Sequence, residues 1–83
     1  MKQDAILIFA NTVKQDLINN FPVHKEAIPK NMNERVKLMH EFISMADAQY
    51  ADLYFSLLDL HDDLNEEDLD EVLLEETKAH FGI

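Results

Sequence analysis

The chain has 83 residues, enough for one small domain, and it has no cysteine, so neither disulfides nor thiolate metal sites can hold the fold. Its hydrophobic fraction of 47% is that of a globular protein, although the formal net charge is −10. Because a strongly acidic surface repels nucleic acid and anionic membranes, we expect no direct contact with either, and a partner protein with a basic surface.

The negative charge is confined to one half of the chain. Residues 1–45 carry six basic and five acidic side chains, for a net charge of +1, whereas residues 46–83 carry one basic and twelve acidic side chains, for a net charge of −11. Solubility alone requires a net charge of only about 2 to 8, with both signs interspersed. We therefore predict a partner-binding surface formed by the carboxylates of Asp52, Asp59, Asp62, Asp63, Glu66, Glu67, Asp68, Asp70, Glu71, Glu75 and Glu76.

The apolar segments are too short to act as targeting or membrane signals. The N-terminal apolar run, residues 5–10, is shorter than the apolar core of a signal peptide and follows Asp4. No run approaches the roughly 18 residues of a membrane span. We expect a cytoplasmic protein with no membrane contact.

Scarce turn residues predict an all-α fold. Gly82 is the only glycine, and the two prolines lie close together at Pro22 and Pro29. A sheet protein of this size would need several turns, so we predict a single domain, residues 1–83, built as a small antiparallel bundle of three helices, or four if the central helix is broken.

The first helix is predicted over residues 4–21, with Asp4 as its N-cap and Pro22 ending it. Its apolar residues cover much of its circumference, as is typical of a helix buried on more than one side. A helical turn at residues 23–27 is expected in the connection that follows. The inward face of the first helix is predicted to comprise Ile6, Ala10, Val13, Leu17 and Phe21.

A heptad pattern dominates the centre of the chain and predicts one long helix over residues 33–62. Asn31 and Glu34 have the spacing of a capping box at its start. The pattern would extend about 42 Å along a continuous helix. Apolar residues recur with alternating spacings of three and four at Val36, Met39, Ile43, Ala46, Tyr50, Leu53, Leu57, Leu60 and Leu64.

A further helix is predicted over residues 66–80. Asn65 and Asp68 form a second potential capping box, acidic residues occupy the first turn, and Gly82 provides a stop. The first and last helices would extend only about 25 and 22 Å, so neither covers the central helix alone. Either the central helix breaks near residues 44–47 or a second copy covers it. We favour a homodimer with an interface of Phe42, Tyr54, Phe55, Leu58 and Leu74.

No catalytic or metal motif is present, and we predict neither an enzyme nor a cofactor. The segment from Asp59 to Asp70 resembles a calcium loop in its acidic spacing, but Leu64 occupies the position that requires glycine. The four histidines lack the spacing of helical metal ligands. Isolated hydroxyl residues without a glycine-rich loop do not indicate nucleophilic catalysis.

The acidic half is therefore the predicted functional surface. Glu67, Glu71 and Glu75 would stand about 6 Å apart along one helix, a spacing comparable to that of nucleic-acid phosphates. We predict a small inhibitor or regulator whose acidic face mimics nucleic acid and occupies a basic surface on another protein. The alternatives are a homo-oligomeric scaffold that uses the heptad pattern as its contact surface, and an immunity protein that masks a toxin.

Overall fold

The protein is all-α over residues 2–21 and 28–83, the ranges that this computed structural model describes. Four helices run in the order α1 (Lys2–Asn20), α2 (Met32–Gln49), α3 (Ala51–Leu60) and α4 (Glu66–Phe81), with no strand among the described residues. The predicted helical class is confirmed, with four helices rather than three. The helical turn expected at residues 23–27 lies outside the described residues.

The core side of α1 is rotated relative to the predicted face. Ala10, Val13 and Leu17 are buried as expected, but Ala5 and Phe9 are fully buried as well, whereas Ile6 and Phe21 are only partly buried. The helix also begins at Lys2, so Asp4 lies in its first turn and not at the N-cap. The prediction that α1 is buried on more than one side is wrong, because three large apolar residues are exposed on it: Leu7, Ile8 and Ile18.

The predicted continuous central helix is broken at Tyr50. This residue has φ −103° and ψ 6°, whereas the N–H of Tyr50 still donates to Ala46 (2.8 Å) and the N–H of Tyr54 donates to the Tyr50 carbonyl (2.8 Å). The interruption is therefore one residue long, and it lies after the 44–47 segment considered from sequence. Neither glycine nor proline causes it. The Tyr50 side chain is almost fully buried and bonded to Asp16 of α1, so tertiary contacts hold the bend.

The break changes which residues form the core. The heptad positions Met39, Ala46, Tyr50, Leu57 and Leu64 are buried as predicted, and Val36, Ile43 and Leu53 are partly buried. Leu60, at the end of α3, is 76% exposed, so its predicted burial is wrong. Phe42, predicted to lie off the pattern and face a second copy, is 1% exposed and belongs to the core.

Local sequence signals determine the ends of α4. Asn65 and Asp68 form the predicted capping box, with both side chain to backbone bonds at 3.1 Å. Gly82 adopts φ 68°, a left-handed conformation that favours glycine, and ends the helix as predicted. At α2, Asn31 is the N-cap, but its side chain accepts from Asn33 and not from Glu34, which corrects the expected capping box.

Helix α4 packs most extensively against α1 and also contacts α2 and α3. Lys2 Nζ lies 3.2 Å from Asp68, and Phe21 and Phe81 meet at the other end with ring centroids 5.3 Å apart. Contacts therefore follow the same order along both helices, and α1 and α4 run in the same direction. The antiparallel packing of successive helices stays a prediction. None of the helices in the described ranges has the length and hydropathy needed to cross a membrane.

Two leucines of α3 test the break directly. Leu57 is 4% exposed, so Leu57→Ala should lower the free energy of unfolding by about 2 to 5 kcal/mol. Leu60→Ala is the matched control in the same helix, and it should change stability by less than about 0.5 kcal/mol because Leu60 is already in water. Urea unfolding followed by circular dichroism measures both. If both variants lose the same large amount of unfolding free energy, both leucines are buried, as the continuous central helix predicts.

Candidate protein-binding surface

The predicted acidic residues lie on α3, on α4 and in the turn between them. Nine of the eleven are exposed, namely Asp52, Asp59, Asp62, Asp63, Glu66, Glu67, Asp70, Glu71 and Glu75. The other two, Asp68 and Glu76, are partly buried. The exposed side chains on α4 include Glu67, Glu71 and Glu75, each one turn from the next, as the sequence predicts.

Asp68 and Glu76 have partners within the chain. Asp68 pairs with Lys2 at 3.2 Å and Glu76 with Lys14 at 3.7 Å, so both carboxylates join α4 to α1. The bond from the backbone of Asn65, and then Lys2, holds the pKa of Asp68 below its usual range. These two members of the predicted binding set therefore have an intramolecular role. Asp63 also accepts a bond from the backbone N–H of Lys2 at 3.2 Å.

An open cleft of about 260 Å³ lies between the start of α4 and the junction of α2 with α3. Its polar lining includes three carboxylates, and only two of them were among the predicted binding residues; the third, Asp47, was missed. Asp47 and Asp70 are 23 residues apart in the chain, so no local spacing could have paired them. The cleft is lined by Asp47, Ala51, Tyr54, Phe55, Glu66 and Asp70.

Tyr54 connects the cleft to the core. Its ring contacts Phe9 with centroids 5.1 Å apart, and its hydroxyl donates to Asp70 Oδ1 at 3.0 Å. Burial raises the pKa of Tyr54, and the bond to Asp70 and the negative charges of Asp70, Asp47 and Glu66 raise it further. The three carboxylates therefore act on one phenol, which stays neutral and donates at physiological pH.

Phe55 borders the same cleft and is 64% exposed. A guanidinium or ammonium group placed here would lie near three carboxylates and beside an aromatic residue. Charge-assisted hydrogen bonds and cation–π contacts are the interactions by which proteins bind such cations. The chemistry of the cleft thus suits a basic side chain.

The predicted dimer interface does not form a single exposed surface. Phe42 is in the core, Tyr54 is bonded to Asp70, and Leu58 is partly buried against the core. Only Phe55 and Leu74, which are 64% and 43% exposed, remain available to another chain. Three of the five predicted interface residues thus pack within the chain instead.

Metal ligands are not assembled in the part of the chain that the structure describes: no group of three or more histidine, aspartate or glutamate side chains there has the geometry to hold an ion. The His80 ring instead lies 2.6 Å from the carbonyl oxygen of Phe21 and connects the ends of α4 and α1. His24 lies outside the described residues.

No protein-family model matches this chain, and no curated protein or solved structure is detectably similar to it.

The two tyrosines predict an alkaline transition. Tyr50 is buried and bonded to Asp16 at 2.5 Å, and its pKa, like that of Tyr54, is raised. Because the folded chain holds both phenol protons more tightly than the unfolded chain, this contribution to stability is complete below about pH 10 and is lost as the pH rises above it. Phenolate absorbance should therefore stay flat through about pH 10 and then rise together with the loss of helical circular dichroism.

Chain unfolded in urea is the control, and it should titrate near the ordinary tyrosine pKa of about 10. A native chain that forms phenolate at that pH with its helices intact would show that the two hydroxyls are not held by Asp16 and Asp70.

Proposed function

We propose that this protein is a small, non-enzymatic binding module that engages a basic surface of a partner protein through the acidic surface of α3 and α4. The observation that carries the proposal is the cleft in which Asp47, Glu66 and Asp70 surround Tyr54 beside the exposed ring of Phe55. A lysine or arginine of the partner would occupy this cleft. The surrounding exposed carboxylates would make further contacts at the rim.

Charge distribution supports an inhibitor or regulator. Twelve acidic residues in the C-terminal half would attract a basic partner over a distance and raise its association rate. Carboxylates one turn apart on α4 are about 6 Å apart, near the spacing of phosphates along a strand. The partner we propose is therefore a protein whose basic surface ordinarily binds nucleic acid, and masking of a toxin would use the same contacts.

The surface is held before binding, which limits the entropy lost on association. The capping box fixes the start of α4, and Lys2 and Lys14 join α4 to α1. Tyr54 donates to Asp70 from α3.

The proposed scaffold role for the heptad residues is less favoured, because most of them are buried within the chain. The lack of cysteine suits the reducing cytoplasm, where we propose that the protein acts.

Charge reversal at the surface tests the proposal. Replacing Glu71 and Glu75 by lysine should slow association with a captured basic partner and reduce its salt dependence, because long-range steering is removed. The matched control replaces Glu34 and Glu41 of α2, which are also exposed, by lysine and changes the net charge equally. Partners are captured from lysate at low salt, and kinetics are measured on each retained protein at several salt concentrations.

If both double variants slow association equally, only net charge matters, and the α4 surface is not the site. If no basic protein is retained, the acidic half serves solubility. Double-stranded DNA, RNA and anionic vesicles should not bind the wild type at any of these salt concentrations.

The cleft has a separate test. Phe55→Ala should weaken partner binding by about tenfold, mainly through faster dissociation. The variant lacks the aromatic ring, so the complex loses the contact between that ring and a cation and the area that the ring would bury. Leu60→Ala is the control, since Leu60 lies on the same helix and is similarly exposed. Equal affinities for Phe55→Ala and the wild type would remove the cleft from the binding surface while leaving the surrounding carboxylates in place.

A further inference from the structure

The outer face of α1 exposes three large aliphatic side chains. Leu7, Ile8 and Ile18 are 60%, 50% and 52% exposed. Single exposed aliphatics are ordinary, but three on one helix of 19 residues make an unpartnered apolar face. Leu7, Asn11, Lys14 and Ile18 are all exposed and follow spacings of four, three and four, so they form one stripe along the helix.

Charge separates this face from the rest of the molecule. Helix α1 contains two lysines and two aspartates and has no net charge, whereas the whole chain carries −10. None of the four stripe residues is a carboxylate, although the exposed Asp4 lies one turn before Leu7; the one charged residue among the four, Lys14, already pairs with Glu76 at 3.7 Å. A basic partner would gain little here. A second copy of this acidic chain could approach here without bringing two acidic surfaces together.

We propose that two copies associate through their α1 stripes in a two-fold, antiparallel helix pair. In this pairing Leu7 packs on Ile18 of the partner subunit, and Asn11 lies opposite Lys14 of the partner subunit. Residues 7 and 18, and likewise residues 11 and 14, lie at equal distances on either side of the point between residues 12 and 13. The stripe of a second, antiparallel copy therefore matches it position for position, as a two-fold interface requires. A polar residue inside such a stripe fixes register at some cost in stability.

The interface differs in place and in character from the proposed acidic surface. A single helix pair buries less than the roughly 1,600 Å² of a standard interface, so dimerisation should be weak and concentration-dependent. The acidic surfaces stay outside the pair, and the dimer carries two of them. Because salt screens the repulsion between two chains of charge −10, dimerisation should strengthen at high salt, where capture of a basic partner weakens.

Sedimentation over a range of protein concentrations and two salt concentrations tests the proposal. The variant with Leu7→Gln and Ile18→Gln should raise the dimer dissociation constant at least about tenfold. The control, with Met32→Gln and Met45→Gln, removes two apolar residues of similar exposure from α2 and should leave dimerisation unchanged. Thermal unfolding verifies that both variants are folded. A wild type that stays monomeric throughout, or a control variant that dissociates as readily, overturns the proposal.

Cysteine pairs test the register, since the chain has no cysteine of its own. When chains carrying Asn11→Cys are mixed with chains carrying Lys14→Cys, the disulfide between the two variants should form faster than a disulfide between two Asn11→Cys chains. The offset of three residues, about 4.5 Å along the helix, moves two copies of position 11 beyond easy bridging. Faster coupling between two Asn11→Cys chains overturns the antiparallel arrangement. Lys14→Cys also removes the ion pair with Glu76, which should lower the stability of the fold only slightly because the site is exposed.

Discussion

The fold depends on the packing of one phenylalanine against two tyrosines that flank the break in the central helix. Phe9 is fully buried, and its ring lies 5.6 Å from that of Tyr50 and 5.1 Å from that of Tyr54. The hydroxyls of the two tyrosines then reach in different directions, to Asp16 on α1 and to Asp70 on α4. The ring of Phe42 on α2 also lies 6.5 Å from that of Tyr50, so one aromatic cluster joins all four helices. Buried aromatic pairs with satisfied hydroxyls combine apolar burial with directional bonds, so they select one arrangement.

The candidate surface is a consequence of this cluster. Asp47 and Ala51 stand on either side of the break, and Phe55 follows one turn later, so the bend at Tyr50 sets their position relative to α4. Tyr54 contributes one side of its ring to the core and its hydroxyl to the cleft. The residues that stabilise the fold thus also place the carboxylates, and a change in the core would move the surface with it.

Some of the charges form contacts within the chain, and most of the carboxylates are exposed. Lys2 and Lys14 pair with the two partly buried carboxylates of the acidic set, and the other nine are exposed, although Asp63 and Asp70 also accept hydrogen bonds from within the chain. Ion pairs near the surface contribute little to stability, so burial of apolar side chains holds α1 against α4. The charged face and the neutral outer face of α1 are then left for different kinds of contact.

The sequence alone determined the features that arise within one helical turn. Asn65 with Asp68 starts α4 and Gly82 ends it, because capping bonds depend only on neighbouring residues. The excess of carboxylates after residue 45 follows from composition alone. The tertiary structure decided the rest. The heptad spacing is the same on both sides of Tyr50, so nothing local predicts the break, the burial of Phe42 or the exposure of Leu60. Asp47 and Asp70 likewise share a cleft through tertiary packing, in which Phe9, forty-one residues before Tyr50, contacts Tyr50 at the break. Contacts so distant in the chain leave no periodic trace in the sequence, and they override the continuous helix that local propensity favours.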